Sequence, residues 1–287
     1  MSTQSFNPDS YKNGQEQEWD AAAAGWRKQW AVFETSAQSV NDRLVDLAEI
    51  KPEDRVLDVV TGIGEPAVTA AKFVGAGGRV VATDQSTGML AIAKERVAEF
   101  GLNNVEFQAT DAEALDFPEG SFDAVVCRWG LMFLPDVGAA LSEIRKSLFP
   151  RGKFVTSVWG LPPVVPMASI PMGILQRELQ LSPPPPGAPT LFTLGAPGAI
   201  ESAFKDAGFV DVHVESMSMV LQFATGEEYT EFMRDIAAPI NAMVNGQPQD
   251  RQTELWGMIA DAARELSNSG GSISMPNETI LVAGRRE

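Results

Sequence analysis

Three carboxylates stand in order along the first half of the chain: Asp58 in RVLDVVTGIGEPA, Asp84 closing RVVATD, and Asp111 in VEFQATDAEA. Gly62 and Gly64 lie between the first two, and Asp84 follows Gly64 by 20 residues. Glycines after a strand let a ligand lie against bare backbone. An acid at that distance is placed to accept hydrogen bonds from a ribose diol. Pro66 suits the first turn of a following helix. The pattern points to a ligand containing a nucleoside. Other reactive side chains are sparse. The chain has one cysteine, Cys127, and one histidine, His213. A single cysteine forms neither an intrachain disulfide nor a thiolate metal cluster, so no metal site is expected. His213 falls in the alternating run DVHVE, on the face opposite Val212 and Val214, and is expected at the surface rather than in catalysis.

The glycine–acid fingerprint alone fits a nicotinamide dinucleotide as well as S-adenosylmethionine. Three features favour the second. Asp58 lies four residues before Gly62, where a carboxylate suits the ammonium of a methionyl group and repels a pyrophosphate. Asp111, at the end of a third strand, can accept from an adenine amino group. The only tyrosines are Tyr11 and Tyr229, and neither has a lysine four residues on, as a hydride-transfer site would need.

These residues need a frame. Residues 55–60, 79–84, 105–110, 122–129 and 153–159 read as short buried strands alternating with helices, which implies βαβ units and a parallel sheet. Upstream, residues 1–15 are polar and expected to fray. Residues 16–49 are helical, with Trp19, Ala23, Trp26, Trp30 and Phe33 on one stripe and a second helix near 40–50. Residues 161–198, with the run Pro183–Pro186, read as an extended insertion rather than packed helix. A helix over 199–207, an alternating strand over 210–223, helical material over 227–266 broken near Pro248, and the strand ETILVAGRR complete the chain. The expected organisation is a helical lid (1–50), a core (51–160), a proline-rich cap (161–198) and the remainder of the core with a helical insertion (199–287).

The segments RVLDVVTGIGEPA, VVATDQSTGMLAIAKERV, VEFQATDAEALDFPEGSFDAVVCRWGLMFLPD and ALSEIRKSLFPRGKFVTSVW resemble the class I S-adenosylmethionine-dependent methyltransferases of the UbiE-like type (methyltransferase type 11). The resemblance covers about residues 50–160, with weaker agreement at AFKDAGFVDVHVE and ILVAGRR. It implies an α/β fold: a Rossmann-like seven-stranded, mostly parallel sheet with helices on both faces and the last strand antiparallel. It implies S-adenosyl-L-methionine as cofactor. By this resemblance Asp58, Thr61, Gly62 and Gly64 would cradle the methionine moiety and Asp84 the ribose. Gln85 and Met89 would flank the adenosine, and Asp111 and Ala112 would hold the adenine. Arg128 would face the methionine end and Trp129 the acceptor. Val60 stands where the family usually has glycine.

Methyl transfer is a displacement at a carbon bonded to a sulfonium, so the cofactor brings the reactivity. The protein aligns the reactants, excludes water and, for some acceptors, takes a proton. No residue is singled out as catalytic; a base would be a carboxylate or a water. Trp19 and Trp26 are expected to cover the methionine end, while Trp30 and Phe33 pack in the core. Met132, Phe133, Trp159, Met167 and Met172 are expected on the other side of a pocket for a small, apolar or aromatic acceptor. Two other readings are open: a non-catalytic adenosyl-ligand binding protein and an NAD(P)-dependent oxidoreductase. The formal charge of −16, with lysines and arginines scattered, argues against a nucleic-acid partner. With no apolar run long enough for a bilayer and no signal-peptide core, the expectation is a cytoplasmic monomer or homodimer.

Overall fold

Short runs of branched apolar residues form the centre of one seven-stranded sheet. The structure, a computed structural model, describes residues 6–287. Strands β1 (Arg55–Val59), β2 (Arg79–Asp84), β3 (Val105–Ala109), β4 (Phe122–Arg128) and β5 (Leu148–Trp159) run parallel. Val56, Leu57 and Val59 of β1 and Val125 to Cys127 of β4 are buried, as central parallel strands require. Strands β6 (Val210–Phe223) and β7 (Ile273–Arg285) complete the order β3-β2-β1-β4-β5-β7-β6. β7, the last strand, pairs antiparallel with both β5 and β6. The strand order reverses between β1 and β4, so the crevice at their carboxyl ends is the place where such sheets bind ligands.

Helices flank the sheet: α1 (Pro8–Leu47), α2 (Ala67–Val74), α3 (Thr87–Glu99), α4 (Val137–Ser147), α5 (Pro166–Glu178), α6 (Ala199–Asp206), α7 (Gly226–Ile236), α8 (Ala238–Asn245) and α9 (Gln249–Arg264). Three differ from the sequence reading. The N-terminal segment is one continuous helix of 40 residues, not a frayed tail followed by two helices. Asn7 caps it by accepting from the Ser10 N–H at 2.8 Å, and Pro8 occupies the first turn. The expectation for residues 1–5 lies outside the described residues. Ion pairs from Lys28 to Asp235 (2.9 Å) and from Arg43 to Glu215 (2.7 Å) anchor α1 along its length.

The proline-rich insertion holds a helix, α5, despite Pro171 inside it. A proline at this position cannot donate to the carbonyl four residues back, that of Met167. The buried Tyr229 hydroxyl donates to that carbonyl instead, at 2.7 Å. The C-terminal helical region breaks near Pro248 as read, and again at Ala237, just before Pro239.

β6 carries a bulge between Val210 and His213, with Asp211 at φ 53°. The extra residue shifts the alternation, so Met219, Leu221 and Phe223 point inward while Val214 is exposed, contrary to the sequence reading. His213 is exposed, and Glu215 turns to Arg43. Among the described residues no helix is long and apolar enough to cross a membrane.

α1 crosses α7 at Gly25, where a Cβ would sit 1.8 Å from the Asp235 carbonyl oxygen. Gly25→Ala is expected to force the helices apart and cost at least about 2 kcal/mol. Chemical denaturation of the variant beside the parent measures this.

Candidate functional site

The turn after β1 is organised by Asp58. Its carboxylate is fully buried and accepts from the Thr61 hydroxyl (2.5 Å) and the Ala67 N–H (2.9 Å) at the start of α2. Burial lifts this carboxyl up to about 8, against the pull of those two donors. Both donors go to Oδ2, and Oδ1 is buried without a hydrogen-bond partner among the described residues. Asp58 braces the turn and is not among the residues that line the cavity. Gly64 does not line it either. Its missing side chain lets α3 approach, since a Cβ there would lie 3.2 Å from the Ala93 Cβ. Gly62, at φ 56°, does face the cavity, with no atom within 4 Å of where a Cβ would project.

Thr61, Gly62, Asp84, Gln85, Met89, Asp111, Ala112 and Arg128 all lie on one cavity of about 510 Å³, within the usual range of ligand sites (about 300–1,000 Å³). Asp84 accepts from the Gly62 N–H (2.8 Å) and the Ser86 N–H (2.9 Å), which fixes its rotamer and leaves further lone pairs toward the cavity. Burial raises its carboxyl to about 6, opposed by these N–H donors. Asp111 accepts from the Glu113 N–H at 2.9 Å and from the Lys12 ammonium at 2.7 Å. Lys12 also pairs with Glu113.

Arg128 is buried, and its guanidinium is spent on α1. It donates to both carboxylate oxygens of Glu34 (2.6 and 2.7 Å) and to Asn41 Oδ1 (2.8 Å). Burial works against the charge on Glu34, and the facing Arg128 overrides it, holding the carboxyl below its ordinary range. Beside this pair, Arg96 donates to the Ile63 carbonyl (2.7 Å) and meets Glu65 at 3.4 Å. Glu65 lines the cavity, and burial raises its carboxyl.

The other end of the cavity is aromatic. Trp129 stacks on Trp159 with ring centroids 4.3 Å apart, and its Nε1 donates to Thr279 Oγ1 at 2.8 Å. Phe33 meets Trp129 edge-on at 5.5 Å, Trp26 meets Phe33 at 5.1 Å, and Trp19 meets Phe133 at 5.4 Å. Met167 and Met172 complete this wall. One packing assignment changes: Met132, read as lining, is buried away from the cavity, whereas Phe33 is core as read and also faces the cavity. Trp30 lies outside the cavity and covers the Arg96 guanidinium at 4.5 Å.

Sequence reasoning missed Glu65, although it directly follows Gly-Ile-Gly. It also missed Tyr11, Lys12 and Gln15, because residues 1–15 were expected to fray, and Glu18, which lay in the segment read as helical but was given no role. Val60, flagged by residue type, takes a left-handed conformation (φ 59°) that a β-branched side chain rarely adopts. Its neighbour across the cavity floor explains the fit. A Cβ on Gly130 would lie 2.7 Å from the Val60 Cβ and 2.8 Å from Cys127 Sγ. The valine occupies space that Gly130 leaves open.

Residues 56–152 match the family described as methyltransferase domain. Over 121 residues the chain is 40% identical to the demethylmenaquinone methyltransferase of Thermus thermophilus, covering 42% of this chain and 54% of that one. It is 29% identical over 144 residues to the ubiquinone/menaquinone biosynthesis C-methyltransferase UbiE of Teredinibacter turnerae, covering 50% and 54%. The chain thus spans about half the length of these curated relatives. Among solved structures, the YcgJ protein of Bacillus subtilis superposes with a TM-score of 0.60 at 21% identity, over 87% of this chain and 99% of that one. Phosphoethanolamine N-methyltransferase 2 of Haemonchus contortus, solved with phosphomonomethylethanolamine and S-adenosylhomocysteine, gives 0.58 at 23% identity, over 93% and 58%. These structures share the fold.

Gly130→Ala is expected to destabilise the protein by about 2 kcal/mol through collision with Val60. Val60→Gly in the same chain should restore most of that loss, with Cys127 accounting for the remainder. A double-mutant cycle of unfolding free energies reads the coupling; additive effects would show that the two positions do not share space.

Proposed function

We propose that this chain, which carries a class I S-adenosylmethionine-dependent methyltransferase domain of the UbiE type, transfers a methyl group from S-adenosyl-L-methionine to a small acceptor with a flat, largely apolar body. One observation carries the reading: a single cavity joins a polar nucleoside-type end at Gly62, Asp84 and Asp111 to a wall of stacked and edge-on aromatic rings. The donor set fits the cofactor. Asp84 presents acceptor lone pairs for ribose hydroxyls, Gly62 presents bare backbone, and Met89 offers an apolar face to the adenosine. Asp111 and Ala112 serve the adenine, in competition with Lys12 for the carboxylate. Glu65, which faces the cavity, replaces Asp58 as the carboxylate for the ammonium. Carboxylates at Glu65, Asp84 and Asp111 also oppose a pyrophosphate, which disfavours the nicotinamide alternative.

When bound, the cofactor supplies an electrophilic methyl carbon on a sulfonium. The chain's part is orientation and exclusion of water. Trp19, Trp26, Trp129, Phe133 and Met167 enclose the acceptor, and α1 closes the cavity because Glu34 holds it to Arg128. The quinone-biosynthetic names of the relatives and the aromatic wall agree on a ring as the acceptor's body. The same reading places the protein in the cytoplasm as a monomer or homodimer. The charge of −16 supports the absence of a nucleic-acid partner.

Incubating metabolite extract with the enzyme and isotopically labelled S-adenosylmethionine should yield one dominant labelled aromatic product; tight cofactor binding with no labelled product would favour a non-catalytic binder. Asp84→Asn should weaken cofactor binding about 10- to 100-fold, as loss of a charge-assisted hydrogen bond worth about 1.5–3 kcal/mol. Ribose donors favour the ionised carboxylate, so parent affinity should fall as pH drops through about 6. Calorimetric titration should find that pH dependence absent in Asp84→Asn.

A further inference from the structure

The cavity holds four acidic side chains, and three of them are engaged. Glu65 accepts from the Thr69 N–H and hydroxyl and pairs with Arg96. Asp84 accepts from two backbone N–H groups, and Asp111 faces Lys12. Glu18 differs. Among the described residues only Gln15 donates to it, from Nε2 to Glu18 Oε2 at 3.0 Å. The same Gln15 amide is held at its other end by the Trp19 indole N–H, which donates to Oε1 at 3.2 Å. Trp19, Gln15 and Glu18 thus form a hydrogen-bonded chain on one face of α1, made possible by their i, i+3 and i+4 spacing. Trp19 is itself fixed against Phe133 in the aromatic wall. The chain orients one carboxylate oxygen and leaves the other, Oε1, without a donor among the described residues.

Glu18 lies at a seam. It borders the cavity, next to Trp19 at the edge of the aromatic wall, and also an outer groove formed with α7, α8 and α9. The charged and titratable groups around it are Tyr11 on α1 and Arg234 and Asp235 on α7. Asp235 pairs with Lys28, and Arg234 covers the Trp256 ring at 4.8 Å. None of them forms an ion pair with Glu18.

Resting on the methyl-transfer reading, we propose that Glu18 is the catalytic base for an acceptor that carries a ring hydroxyl, and that Gln15 and Trp19 position it. The acceptor O–H bond breaks and its proton goes to the Glu18 carboxylate. The electron pair stays with the acceptor as a phenolate or enolate. Its oxygen, or the conjugated ring carbon, forms the new bond to the methyl carbon. The C–S bond breaks with its pair left on sulfur. After attack at carbon, the proton on that carbon passes through water to the oxygen, restoring the hydroxyl, and in either case the protonated Glu18 releases its proton to solvent. Burial lifts the Glu18 carboxyl above its ordinary range, with the Gln15 donor opposing, which brings it toward the operating pH of a general base.

The test uses the full chain, labelled S-adenosylmethionine, and a panel of phenols, naphthols and hydroquinones beside the same rings lacking hydroxyls. The parent should label only hydroxylated rings, with an acid limb in kcat at saturating donor. Glu18→Gln should lower kcat about a hundredfold and abolish that limb, while calorimetry shows parent-like donor affinity. Gln15→Leu removes a donor that favours the charged form, so its acid limb should move to higher pH. Difference infrared spectroscopy, parent minus Glu18→Gln, should show a carboxyl band titrating at the pH of the limb. Parent-like kcat and pH profile in Glu18→Gln overturns the assignment and leaves methyl transfer standing. A parent that labels nothing in the panel or in metabolite extract overturns both.

Discussion

The buried ion pair between Glu34 and Arg128 is the contact on which the site depends. Arg128 ends β4 at the floor of the cavity, and Glu34 sits more than halfway along α1. Two nearly parallel hydrogen bonds, with a third to Asn41, satisfy a guanidinium that would otherwise be stranded away from water. Such a pair adds little net stability over apolar packing, but losing one partner leaves an uncompensated buried charge. That asymmetry ties the middle of α1 to the end of β4. It also makes α1 a poor candidate for a detachable lid. Removing residues up to 34 would take Glu34 away and leave the Arg128 guanidinium with Asn41 as its remaining side-chain partner.

From that anchor the rest of the cavity follows. α1 runs back across α7 and α3, where Asp20 accepts from the Ser86 hydroxyl (2.5 Å) and the Gly88 N–H (2.9 Å) at the start of α3. Its first turns reach the rim at Asp111 through Lys12. The helix therefore touches the Asp111 end and the aromatic end of the cavity together, and its residues facing inward pass from polar (Tyr11, Gln15, Glu18) to aromatic (Trp19, Trp26, Phe33) along the way. The cavity changes character along its length for the same reason. On the opposite floor, two residues in left-handed conformations, Val60 and Trp129 (φ 51°), turn the ends of β1 and β4. Backbone strain of this kind persists where surrounding packing over-determines it. Here Gly130 beneath the valine and the Trp159 stack on the tryptophan supply that packing.

The βαβ rhythm, the parallel sheet with its antiparallel last strand, and the cluster of Gly62, Asp84 and Asp111 were all legible in the sequence. The rhythm, the parallel strands and the cluster rest on local signals, namely apolar runs, glycine turns and acids at strand ends, whose geometry relative to the strand is set within a few residues; the antiparallel last strand followed from the family resemblance alone. What was misread is which way a side chain turns, whether its partner is near or far along the chain. Asp58 has the residue type and position of a ligand, yet its carboxylate turns back to cap α2, because the nearest N–H donors are there. Arg128 has a guanidinium at the cavity, yet its donors go to a helix 94 residues earlier in sequence. A bulge at Asp211 exchanged the faces of β6, which a period of two cannot reveal.

By itself, then, the sequence determined the class of fold, the nucleoside-type rim and the apolar character of the residues near it, because these depend on the order of types along short stretches of chain. Only the tertiary structure decided which side chains are available. Hydrogen-bonding capacity is finite, and Arg128 and Asp111 each meet partners that no spacing rule discloses. Pro171 is tolerated in α5 because a tyrosine 58 residues later supplies the missing donor. Glu18 stands out for the converse reason. Its availability is a property of everything packed around it, and that is decided by the fold and not by its neighbours in sequence.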